Sequence, residues 1–205
     1  MVDGLTVLDG GAGLLSGALA LMIAWKGASA YSLTGRAHLV NFASGFGVLA
    51  LSYVGFALAL FLVPGNGFSG PVMASVELLG FALVATSYLR REGKGSAALL
   101  LGGLGLAAVA AVASDAFMAD FSASAVGPIH LVEMVFALFA AVQVTRTYTE
   151  KIVPEGMFVV AGFGALAVAQ YTWMIWSYFP HALVAMLATA VRILGLALLV
   201  AGLER

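Results

Sequence analysis

Long apolar runs separated by short polar connectors dominate the chain. They cover Gly10–Trp25, His38–Leu62, Pro71–Leu89, Ala97–Ala119, Pro128–Thr145, Glu155–Tyr178 and His181–Leu203. At 1.5 Å rise per residue, each is about long enough to cross a ~30 Å hydrocarbon layer as a helix. None shows the apolar/polar alternation of a membrane barrel strand. The pattern predicts an all-α integral membrane protein with seven transmembrane helices. All five prolines (Pro64, Pro71, Pro128, Pro154, Pro180) fall at or near segment ends, where a residue lacking an N–H least disturbs a helix. Ala28-Ser29-Ala30 has the form of a signal-peptide cleavage site. The residues preceding it are acidic (Asp3, Asp9) rather than basic, so the first run is read as a helix. Its Gly10-Gly11, Gly13 and Gly17 are spaced for close contact with a neighbouring backbone.

The basic residues set the expected orientation. With seven spans, Lys26, Arg36, Arg90, Arg91, Lys94, Arg146, Lys151 and Arg205 all fall on one side, leaving only Arg192 of the nine inside a helix. The positive-inside rule then places the N-terminus outside and the C-terminus in the cytoplasm of a cell membrane. Composition agrees: 62% hydrophobic, 9% charged and a mean hydropathy of +1.07, against about a quarter charged for a soluble domain.

Two stretches are near-copies. Val76-Glu77-Leu78-Leu79-Gly80-Phe81-Ala82-Leu83 aligns without a gap to Val191-Arg192-Ile193-Leu194-Gly195-Leu196-Ala197-Leu198. Gly45-Phe46-Gly47 in the second segment likewise matches Gly162-Phe163-Gly164 in the sixth, and Pro64 and Pro180 follow at similar offsets. Lys26 and Arg146 mark matching ends of the first and fifth. The expected plan is a parallel 3+1+3 duplication: a first repeat over residues 1–92, a linker helix over 93–122 and a second repeat over 123–205. Repeats of this kind place sites where the halves meet.

Glu77 and Arg192 are the leading candidates, because each is an ionisable group inside a run otherwise fit for lipid. A lone charge at that depth costs ~2.5–3.5 kcal/mol on insertion scales, so the two are expected to form a buried ion pair or a gate between the halves. A second candidate lies at the expected outer face. His130 and Glu133, at i and i+3, share one helical face, and Asp115, Asp120 and His181 fall on the same side. With Met73, Met118, Met134, Met174 and Met186 nearby, this set suits copper. His130 and His181, each just after a proline, would suit a bis-histidine haem. Trp173, Trp176, Tyr171, Tyr178 and Phe179 crowd one end of the sixth run, as an aromatic belt does. In the inner halves the polar groups expected are Ser52, Tyr53, Gln143 and Thr145.

Several classes are excluded. Cysteine is absent, so there is no disulfide framework or thiolate chemistry. No phosphate-binding loop, His-Glu-x-x-His or Gly-x-Ser-x-Gly motif occurs, and no basic patch suits nucleic acid. Seven helices with an outside N-terminus resemble the microbial rhodopsins in layout. With Lys26, Lys94 and Lys151 read as connector residues, no mid-membrane amine is available for a retinal Schiff base. A three-plus-one-plus-three plan is similar to that of the SWEET sugar transporters, although no Pro-Gln pair is present. The expectation is a non-catalytic helical subunit or ligand-sensing module of a larger membrane assembly, respiratory or sensory, with other membrane subunits or a second copy as partners. The alternatives are a carrier for a small solute, proton or metal ion along the seam, and a metal-binding protein or metalloenzyme at the outer face.

Overall fold

The computed structural model describes residues 4–62, 69–92, 126–148 and 154–203. They form six helices: α1 Gly4–Thr34, α2 His38–Leu62, α3 Ser69–Glu92, α4 Val126–Tyr148, α5 Pro154–Tyr178 and α6 Ala182–Gly202. All six are long and apolar enough to cross a membrane. The segment Ala97–Ala119, the expected fourth span, lies outside the described residues.

Helix α1 departs most from expectation, because it does not stop at Trp25. Ala28, Ser29 and Ala30 are tolerated in a helix, and the backbone first turns aside at Gly35, which has φ +66°. The Gly35 N–H donates to the Tyr31 carbonyl at 2.7 Å, the helix C-terminal arrangement that glycine favours. Lys26 is therefore a helix residue, not a connector residue.

The helices pack in a ring: α1 on α2, α2 on α3, α3 on α4, α4 on α5, α5 on α6, and α6 back on α1. Replacing each helix by the one three places along leaves this neighbour pattern unchanged. Apolar residues such as Leu51, Leu62, Leu183 and Leu187 face outward. In hydrocarbon that exposure is not penalised, so cohesion rests on close packing of small residues. Two crossings illustrate it. A Cβ added at Gly45 would lie 2.8 Å from the Gly80 carbonyl oxygen, and one at Gly162 would lie 2.9 Å from that of Gly195. At both crossings backbone meets backbone, so only glycine fits. A Cβ at Gly10 would strike the Phe61 ring, and one at Gly127 would lie 3.0 Å from the Tyr178 ring. Phe61 and Tyr178 hold corresponding positions in α2 and α5, each 16 residues after the glycine that meets its neighbour's backbone (61 − 45 and 178 − 162).

The centre of the ring is aromatic. Phe46 and Phe163 are fully buried and face each other with centroids 6.3 Å apart. Phe42 lies 5.0 Å from Phe46, and Tyr88 packs edge-on to Phe163 at 6.1 Å. Buried hydroxyls in the helices turn back onto their own backbone: Ser16 donates to Ala12, Ser87 to Val84 and Thr172 to Val168. Such bonds satisfy a polar group where water does not compete.

Candidate functional site

Above the aromatic layer, toward the end where α1, α3, α4 and α6 begin, lies a cavity of about 300 Å³. All six helices border it. Helix α2 contributes Tyr53, α3 Glu77, α4 His130, α5 Trp173 and Trp176, and α6 Thr189 and Arg192, while Asp9 and Gly13 of α1 complete the wall. Most of the remaining lining is apolar, including Phe56, Leu60 and Met73. The volume is at the lower edge of the range for small-molecule sites.

Glu77 is buried and its Oε1 accepts two hydrogen bonds, from the Tyr53 hydroxyl at 2.9 Å and from Gln170 Nε2 at 2.7 Å. Tyr53 and Gln170 each stand eight residues after the glycine of their helix's close crossing, Gly45 and Gly162 (53 − 45 and 170 − 162). Corresponding turns of α2 and α5 thus deliver both donors to one carboxylate oxygen. Arg192 is also buried, but it takes a different partner: its guanidinium carbon lies 4.6 Å from the Tyr53 ring centroid and 5.8 Å from that of Trp173. Cation–π contact of this kind contributes ~2 kcal/mol or more when desolvated. Among the described residues Glu77 and Arg192 make no ion pair with each other. Tyr53 stands between them, holding the acid through its hydroxyl and the base through its ring.

His130 and Glu133 of α4 bond to each other, Nδ1 to Oε2 at 2.7 Å, with the His130 ring 6.2 Å from that of Trp173. Glu133 is completely buried. His181 stands apart at the start of α6, exposed, its Nδ1 accepting from the Leu183 N–H at 3.3 Å. Asp115 and Asp120 lie outside the described residues. Among the described residues no three histidine, aspartate or glutamate side chains are grouped to hold a metal ion. The structure therefore gathers Glu77, Arg192 and His130 at one cavity with Glu133 behind them, and leaves His181 elsewhere.

Among the described residues several buried polar atoms make no hydrogen bond: Arg192 Nε, Trp173 Nε1, Gln170 Oε1 and Glu133 Oε1, together with both side-chain ends of Gln143. A buried polar group left unpaired costs about 1–3 kcal/mol. Two of these atoms belong to cavity-lining residues, Arg192 and Trp173, and both are donors. Two residues of the cavity wall thus each carry an enclosed donor with no partner among the described residues.

Three residues carry roles that differ from those read in the sequence, and a fourth, Gln170, was not singled out there. Tyr53 belongs to the same cavity as Met73 and Glu77, as does Ser52, whose hydroxyl donates to the Met73 carbonyl at 2.8 Å; both sit past the midpoint of α2, not in its first half. Trp173 flanks Arg192 inside the bundle. Gln170 is buried beside Glu77. The signal for Tyr53 and Gln170 was their equal spacing from Gly45 and Gly162.

A second cavity of about 210 Å³ opens at the opposite end, lined by Lys26, His38, Phe42, Tyr88 and Thr147 among others. Along α2 the order is Phe42 at this cavity, Phe46 in the aromatic layer and Tyr53 at the first cavity. No protein-family model, curated protein or solved structure matches the chain.

Proposed function

We propose that this is a non-catalytic membrane protein that binds a small polar molecule between two duplicated three-helix halves and acts as a ligand-sensing module beside other membrane subunits. The observation that carries this reading is that Glu77 and Arg192, matched in the two near-copied stretches, border one cavity without pairing with each other. A structural ion pair would bring the two together, because each buried charge is costly alone. The matched contacts Gly45–Gly80 and Gly162–Gly195 support the duplication.

Seven spans with the N-terminus outside belong to the same proposal. Helices α3 and α4 both begin beside the first cavity and both reach the second with their later turns. Helix α3 thus ends beside the second cavity and α4 begins beside the first, which supports the proposed further span. The chain has no native cysteine, so single-cysteine labelling tests this directly. In intact cells, a membrane-impermeant maleimide is expected to label His181→Cys and to leave Thr34→Cys unlabelled until the membrane is opened. The reverse pattern overturns the orientation.

Ligand binding is tested by incubating the protein in lipid nanodiscs with a cell extract freed of macromolecules and analysing what it retains by mass spectrometry. A compound held by the wild type and lost from Ala185→Trp, which fills the cavity wall, supports the reading. Identical retention by both proteins overturns it. The second cavity favours a carrier as the other reading, since it and the first lie toward opposite ends of the bundle with the buried core, Phe46 and Phe163 included, between them. Uptake of the retained compound into proteoliposomes separates carrier from sensor.

A further inference from the structure

The cavity wall presents two opposite charges held apart. The Arg192 guanidinium lies over one face of the Tyr53 ring at 4.6 Å, while the Tyr53 hydroxyl bonds to Glu77 at 2.9 Å. The charges are thus separated by about the width of one tyrosine side chain. That spacing is too large for a salt bridge and suits a small molecule that bridges them. On the Arg192 side the guanidinium Nε and the Trp173 indole N–H, both enclosed, have no acceptor among the described residues. On the Glu77 side one carboxylate oxygen is held by Tyr53 and Gln170, and the residue borders the cavity.

We infer that the cavity takes a small zwitterion of the amino-acid class: its carboxylate accepts from Arg192 and Trp173, its ammonium faces Glu77, and an apolar or aromatic side group packs against Phe56, Leu60 and Trp176. A simple anion would serve Arg192 but face the Glu77 charge with nothing to offset it. A simple cation would meet Glu77 and leave the Arg192 and Trp173 donors unpaired in a dry site, which is the costly outcome. Only a molecule with both charges satisfies both walls. Asp9 also borders the cavity but has a partner of its own. His130 presents a ring whose Nδ1 is already engaged by Glu133. This assignment rests on the ligand-binding reading and names the chemistry of its ligand.

The test uses the full chain in nanodiscs and three probes sharing one ring and carbon chain: L-phenylalanine, 3-phenylpropionate, which lacks the amine, and 2-phenylethylamine, which lacks the carboxylate. Trp173 and Trp176 report binding through their fluorescence. L-phenylalanine is expected to bind at least about ten-fold more tightly than either single-charge compound, each lost charged hydrogen bond being worth ~1.5–3 kcal/mol. In Glu77→Gln the preference over 3-phenylpropionate disappears. Trp173→Phe, which keeps a ring and removes only the N–H, lowers phenylalanine affinity about ten-fold or more through one lost hydrogen bond to a charged group, with Trp176 remaining as the reporter. Equal binding of 3-phenylpropionate to the wild type overturns the assignment. So does a failure of phenylalanine to bind while an extract component is still retained by the wild type and lost from Ala185→Trp; the cavity reading then stands. If nothing is retained from the extract either, both fall together.

Discussion

Helices α1–α3 and α4–α6 pack in the same way but carry different chemistry. Where α2 and α3 cross at Gly45 and Gly80, α5 and α6 cross at Gly162 and Gly195, and in each pair a Cβ would meet backbone. The polar residues differ at nearly every matching place. Tyr53 in one half answers Gln170 in the other, and Glu77 answers Arg192. Ser16 is buried in α1 where α4 buries His130 and Glu133. Packing between helices in lipid depends on shape, so small residues must stay small wherever backbones touch. Chemistry in the centre is not bound that way. The two halves meet at a cavity walled asymmetrically, with an acid from one and a base from the other.

The largest effect expected is at the crossings. Gly45→Leu and Gly162→Leu should each destabilise the bundle by about 3 kcal/mol or more, the upper range for forcing volume into a packed interior. Denaturation in detergent micelles checks it. A large loss in one half with little in the other would break the equivalence of the two crossings.

Next come the charges, where the halves should diverge. Glu77→Ala takes a charge out of lipid as Arg192→Met does, but it also removes the acceptor of both Tyr53 and Gln170. The two buried donors left behind cost about 2–4 kcal/mol, so it is the more damaging of the two. Arg192→Met removes a cation–π contact worth ~2 kcal/mol but also takes a charge out of lipid at ~2.5–3.5 kcal/mol. The net for Arg192→Met is therefore close to zero or stabilising. If both substitutions destabilise equally in the same assay, Arg192 is bound more firmly by the protein than the geometry supports. A smaller effect isolates Tyr53. Tyr53→Phe keeps the ring beneath Arg192 and deletes the hydroxyl, with an expected cost of about 1–2 kcal/mol. No loss on denaturation would mean that Gln170 alone holds Glu77.

How far the sequence foretold these features depends on what set them. The helices were legible because lipid demands long uncharged runs, and the described six occupy six of the seven runs. Their ends were less so: α1 ran nine residues past Trp25 because nothing before Gly35 forces a left-handed turn. Glu77 and Arg192 stood out by cost alone, and both reach the cavity. Their separation was not legible, since it turns on Tyr53 being wedged between them, a matter of side-chain shape across three helices. Where His181 lies relative to His130 and Glu133 was not legible, for a related reason. Placement near one end of the bundle says nothing about which way a residue faces, and His181 is taken up capping α6.

The smallest effect separates glycines kept for contact from those that are not. Gly47 and Gly164 follow the crossing glycines by two residues in each half, and a Cβ at either would meet nothing within 4 Å. Glycine in a helix interior is destabilising by roughly 0.5–1 kcal/mol relative to alanine. Gly47→Ala and Gly164→Ala should therefore each raise stability by about that amount, measured by denaturation in native membrane vesicles. A gain at both places the two faces against lipid alone. A loss at one only would mean that something packs closely on that side of the ring and not on the other. In that event the halves would differ in what surrounds them as well as in what they enclose, and the partner's surface would be located to within a helix turn.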